Sequence, residues 1–162
     1  MRRIFAILLV SIMLLGLCAC ANNTGNTSAA HGPSQEDLCS ATELIKQAYN
    51  DIIYISNELV DWWPNINRHY GTDSSETDPY FLSFRNRFVT ANKSLNDAKA
   101  LLGINGTGEH YEAVKHYYTS VQSFLDFVSI FPEGYSKLNF TDKISDYKQN
   151  CTQMYNNAVF YK

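Results

Sequence analysis

Residues 38–62 read LCSATELIKQAYNDIIYISNELVDW. Leu38, Ile45, Ile52 and Leu59 recur every seven residues, and Ala41, Ala48, Ile55 and Trp62 recur at an offset of three. That is an unbroken heptad seam with apolar residues at both inward positions, the pattern of an amphipathic helix packed along one stripe. Just upstream, Ser34 can cap a helix, and Glu36 and Asp37 suit the positive end of its dipole. Downstream, Pro64 disfavours helical geometry at Trp63, so the helix is expected to end near Trp63.

Three more stripes of the same kind follow. Asp78 and Pro79 read as cap and first turn of a second helix, with Phe81, Phe88, Leu95 and Leu102 offset by Phe84, Ala91 and Ala98. Gly103 is expected to stop it. A third helix begins near Thr107, where Tyr111, Tyr118 and Leu125 alternate with Val114, Val121 and Val128, widened by Tyr117, Phe124 and Phe131. Pro132 and Gly134 end it. A fourth runs from about Asn139, capped by Asn139 or Thr141, with Ile144, Cys151 and Ala158 alternating with Tyr147, Met154 and Tyr161. No segment alternates as a strand does. The expected fold is an all-α, antiparallel up-down four-helix bundle over residues 33–162. Its N-terminus, its 103–106 link and its C-terminus then share one end, opposite the 63–78 and 132–138 connections.

The chain before the bundle reads differently. Arg2 and Arg3 precede Ile4 to Leu17, a run of apolar and small residues too short for a spanning helix, which needs about 20 residues. It fits the hydrophobic region of a secretory leader. Leu17-Cys18-Ala19-Cys20 follows. This resembles the lipobox of bacterial lipoproteins, with Cys18 a departure at the middle position. The resemblance covers residues 1–20 alone. It implies removal of residues 1–19 and a diacylglycerol thioether on Cys20, hence a lipid-anchored protein on the extracytoplasmic face of the cell membrane. Residues 20–32 then form the lipidated cysteine and a tether rich in Asn, Thr, Ser, Gly and Ala.

Charge narrows the partners. The chain carries 13 basic and 16 acidic residues, a net −3, and loss of Arg2 and Arg3 with the leader makes it −5. Nothing basic draws in phosphate backbones, so nucleic acid is not an expected partner. The membrane is expected as a partner through the lipid, not through charge.

Chemistry is sparse. Glu112 and His116 share a helix face, but Glu-x-x-His, which carboxylate-bridged dimetal bundles use twice, is absent. Asn105-Gly106-Thr107-Gly108 lacks the lysine and strand of a phosphate loop. No metal, cofactor or catalytic group is expected. With Cys18 removed in the leader and Cys20 lipidated, two cysteines are left in an oxidising compartment, and Cys39 and Cys151 are expected to pair as a disulfide between neighbouring helices.

The 63–78 stretch is expected as a loop, long enough to suggest function. Trp63, Ile66, Arg68, His69 and Tyr70 are residue types enriched in interfaces, and Tyr135 joins them at the same bundle end. The expected function is therefore a non-enzymatic binding or interaction module of the cell envelope, with an envelope protein, a peptide or a glycan as partner. The alternatives are an envelope enzyme or metal-binding bundle using Glu112 and His116, and a structural spacer with no dedicated ligand.

Overall fold

The computed structural model describes residues 32–69, 79–129 and 135–161. They form four helices: α1 (Gln35–His69), α2 (Pro79–Leu102), α3 (Glu109–Ser129) and α4 (Lys137–Phe160). Among the described residues there is no strand. The fold is an all-α four-helix bundle. α1 packs against all three other helices, and α2 and α4 lie furthest apart.

α1 starts as its sequence directs. The Asp37 amide donates to Ser34 Oγ at 3.1 Å, and the Ser34 amide donates to Asp37 Oδ2 at 2.9 Å, a reciprocal cap. The Ser34 hydrogen bonds hold the Asp37 carboxyl below its usual pKa. From Leu38 to Leu59 the heptad residues are buried, and the stripe is wider than two per turn pair because Thr42 and Ser56 are buried too. A helix with three neighbours needs that width. Thr42 donates to the Leu38 carbonyl and Ser56 to the Ile53 carbonyl, each at 2.8 Å, so both buried hydroxyls are satisfied inside their own helix.

α1 does not end at Trp63. It runs through Pro64 to His69, so residues 63–69 are helix and not loop. Pro64 cannot give the Val60 carbonyl the helix bond an amide would supply, and its ring crowds that carbonyl. Trp63, whose backbone the proline disfavours, is held by tertiary packing: its ring lies 5.1 Å from that of Phe140. Packing of one aromatic pair outweighs a local preference.

Gly103 stops α2 as expected, at φ 58° with its amide donating to the Lys99 carbonyl at 3.1 Å. The link then folds over Tyr111. A side chain on Gly106 would stand 2.0 Å from the Tyr111 ring, so only glycine allows that approach. α4 begins earlier than expected. Its cap is Ser136, not Asn139 or Thr141, and Ser136 Oγ accepts from the Asn139 amide at 3.2 Å. The early start places Phe140 inward, one turn before Ile144, and both are buried.

The register of α1 against α4 is fixed by side chains. Gln35 Nε2 donates to the Tyr161 carbonyl at 3.1 Å, Lys46 Nζ to Tyr155 Oη at 3.2 Å, and Lys148 Nζ to Asn57 Oδ1 at 2.8 Å. Level with Cys151 is therefore the region of Asn50, not Cys39. The two cysteines are about 11 residues out of register, roughly 16 Å along the axis at 1.5 Å per residue, whereas a disulfide needs Cα atoms about 4.4–6.8 Å apart. The expected Cys39–Cys151 disulfide is not formed. Both thiols are free, Cys39 half-buried and Cys151 fully buried.

Candidate functional site

The end of the bundle where α1 stops and α4 starts is built from rings. Starting at mid-height, Tyr49 on α1 lies 6.4 Å from Phe124 on α3, and Phe124 stacks on Tyr147 of α4 at 5.2 Å. Tyr147 meets Phe127 at 5.0 Å, Phe127 meets Phe140 at 5.3 Å, and Phe140 meets Trp63 at 5.1 Å. Tyr135 closes the row, edge-on to Phe127 at 5.7 Å and 6.4 Å from Phe140. Aromatic stripes on α3 and α4, in step, make this ladder. Phe124 and Phe140 are buried, Trp63, Phe127 and Tyr147 are half-buried, and Tyr135 is 43% exposed. Burial raises the Tyr147 hydroxyl above its usual pKa.

Of the six residues expected at this end, the structure brings Trp63 and Tyr135 together on Phe140. The backbones of Ile66, Arg68 and His69 lie in the last turns of α1, with side chains outside the described residues, and Tyr70 is also outside them. Two participants escape a sequence reading. Phe140 falls just before the expected α4 cap. Leu138, 69% exposed on the first turn of α4, sits off the buried stripe and gives no periodic signal. Among the described residues Tyr135 and Leu138 are the exposed large apolar side chains at this end; Tyr135 packs on Phe127 and Phe140, and Leu138 lies on the face of α4 turned away from Phe140.

The other end gathers the residues of the metal reading. An open groove of about 430 Å³ is lined by Glu109, Glu112 and His116 of α3 and by Met154, Asn157 and Phe160 of α4. Glu112 Oε2 lies 3.7 Å from Lys115 Nζ. His110 Nδ1 is 3.0 Å from Gln35 Oε1, and its ring is 6.1 Å from that of Tyr161. Among the described residues no three His, Cys, Asp or Glu side chains are placed to share a metal ion.

In the core beside this groove lie Tyr117 and Cys151, both fully buried. Desolvation raises both groups, the Cys151 thiol to about 12 and the Tyr117 phenol well above its usual value, the latter with smaller contributions from Cys151 and Tyr49. A thiol held protonated in this way is a packing group and a poor nucleophile. Cys20 lies outside the described residues. Among those that are described, no helix is long and apolar enough to cross a membrane.

Neither a family model, nor a curated protein, nor a solved structure matches this chain.

Proposed function

We propose that the chain is a lipid-anchored, extracytoplasmic interaction module of the bacterial cell envelope, non-enzymatic, with its partner surface at the end of the bundle that carries the aromatic ladder. The observation that carries this reading is the separation of two features. The chain enters the bundle at Ser34 from the Leu17-Cys18-Ala19-Cys20 box. The exposed Tyr135 and Leu138 stand at the opposite end, where α1 ends and α4 begins. An anchor at one end leaves the other free to meet a partner. Exposed apolar side chains beside a packed aromatic cluster are the kind of anchor that interfaces use. The partner class is an envelope protein, a peptide or a glycan.

Two measurements on intact cells test it. Cys20→Ser should stop incorporation of a fatty-acid analogue and leave uncleaved or released protein; unchanged incorporation would defeat the anchor. A photo-crosslinking residue in place of Tyr135 or Leu138 should give a discrete adduct, and the same residue at exposed Asn92 on α2 should not. Equal adducts from all three positions, or none from Tyr135 and Leu138, would defeat the distal surface. Tyr135 and Leu138 are chosen because they are exposed. Replacing Trp63 would also disturb the packing on Phe140.

A further inference from the structure

Two large apolar side chains at the end where the chain enters the bundle are almost fully exposed among the described residues. Ile104, at the tip of the α2–α3 link, is 93% exposed, and Phe160, the last residue of α4, is 81% exposed. The fold needs neither. Gly103 and Gly106 shape the link, and link tips ordinarily carry Asn, Asp, Ser or Gly. Beside Phe160, Tyr161 presents its ring at 5.3 Å, edge to face. Tyrosine is enriched where bilayer meets water, with its ring in the apolar zone and its hydroxyl in the wet one.

We propose that this end docks on the bilayer, with Ile104 and Phe160 entering the boundary between headgroups and acyl chains and Tyr161 beside them. The proposal rests on the lipid-anchor reading above. The occupant follows from where the chain enters. A side chain on Gly32 would stand 2.9 Å from the Asn105 carbonyl oxygen, so the entering chain lies against the very link that carries Ile104. From Cys20 to Gly32 the chain can span at most about 42 Å, and a chain of this length has a typical reach of roughly 20 Å. The distal end stands about 36 Å further away along α4. Lipid is thus held at high effective concentration against Ile104 and Phe160, and not against Leu138.

Charge sets which bilayer. Glu36, Glu109 and Glu112 are exposed at the same end, and Asp37 is half-buried there. Among the described residues the lysines near them are Lys99 in the last turn of α2 and Lys115 on α3. The balance is acidic, so docking is driven by apolar insertion and weakened by anionic headgroups within a Debye length.

The test uses the lipidated mature protein in phosphatidylcholine vesicles with and without brominated acyl chains, which quench tryptophan by contact. Ile104→Trp and Phe160→Trp are compared with Val89→Trp, an exposed mid-bundle position on α2, and with the parent chain carrying only Trp62 and Trp63. Bromolipid should quench the added tryptophan at 104 and at 160 and leave the Val89→Trp and parent signals unchanged. In the Phe160→Trp background, Ile104→Ser should lower the ratio of docked to undocked protein by about tenfold. Phosphatidylglycerol replacing part of the phosphatidylcholine should lower it too. If the protein floats with the vesicles and neither added tryptophan is quenched, the anchor stands and docking is overturned. Equal quenching at 89, 104 and 160, quenching of the parent tryptophans, or a rise with phosphatidylglycerol would also overturn it. If the lipidated protein does not float, the anchor reading fails, and docking with it.

Discussion

The two halves of the bundle are held together by opposite means. α1 and α2, joined by the Arg87–Asp51 ion pair, carry a set of small buried residues, Ala41 and Ala48 on one helix and Ala91, Ser94 and Ala98 on the other, among larger ones such as Ile45, Ile52 and Leu95. Between α3 and α4 the contact is made of rings, with Phe124, Phe127, Phe140 and Tyr147 stacked along the seam. Small residues let backbones approach and leave little room for change. Rings span a wider gap and supply their stabilisation as buried area and stacking. One seam should therefore fail on enlargement and the other on truncation.

Truncation of the ring seam is expected to have the largest effect. Phe124→Ala removes a fully buried ring that touches both Tyr49 and Tyr147, and should cost about 3–5 kcal/mol. Against a typical stability of about 5–15 kcal/mol this moves a denaturation midpoint far. Enlargement of the small seam comes next. Ala48→Leu forces extra carbons into a fully buried site and should cost about 1–3 kcal/mol. Chemical denaturation of both variants checks the pair. If Ala48→Leu is neutral, the small seam has slack and the contrast is broken.

Smaller effects separate the halves by their buried hydroxyls. In α1, Thr42 and Ser56 bond to carbonyls of their own helix. On α3, the Tyr117 hydroxyl is buried with no hydrogen-bond partner among the described residues. An unmade buried bond costs about 1–3 kcal/mol, so Tyr117→Phe should stabilise the protein by about 1 kcal/mol, an unusual sign for a core substitution. Thr42→Val has no such gain to offer.

The same half responds to alkali. Folded-state pKa values of Cys151 and Tyr117 are raised, chiefly by burial, as is that of Tyr118. A raised value means that the unfolded chain releases its proton first. The associated stability is whole below the unfolded pKa and is lost as pH climbs through the folded one. For Cys151 the window runs from about 9 to about 12. Stability should fall across it, and Cys151→Ala should flatten that fall. Native thiol labelling should modify Cys39 and spare Cys151, and denatured protein should yield two reactive thiols in the described region.

The contrast also explains what could be read in advance. α1 was legible because its seam is unbroken aliphatic and alanine at strict spacing, and its cap is local to Ser34 and Asp37. What escaped depends on partners far along the chain. Pro64 reads as a stop unless the ring of Phe140, on a helix more than 70 residues later, is known to hold Trp63. Phe140 was hidden because Asn139 and Thr141 are as plausible caps as Ser136, and only backbone geometry chooses between them. Topology alone made Cys39 and Cys151 neighbours, but height along the bundle is set by Gln35, Lys46 and Lys148. The site was half legible: Trp63 and Tyr135 by residue type, Leu138 not at all, since an apolar residue off the stripe resembles any surface residue.

The smallest expected effect lies in a charged contact between α1 and α2. Arg87 Nη1 donates to Asp51 Oδ1 at 2.6 Å, and its guanidinium lies 4.3 Å from the centre of the Tyr54 ring. Asp51 is nearly buried, but the Arg87 side chain is 44% exposed, so water and salt reach the pair. A double-mutant cycle of Asp51→Asn and Arg87→Met should give a coupling of about 0.2–1 kcal/mol, and less in high salt. Asn keeps the shape of Asp51, and Met keeps much of the Arg87 stem over Tyr54, so the cycle isolates the charge. A coupling well above that range, unmoved by salt, would mean the pair is shielded and helps to close the small seam. A coupling in range assigns that closure to the alanines, as the Ala48→Leu cost requires.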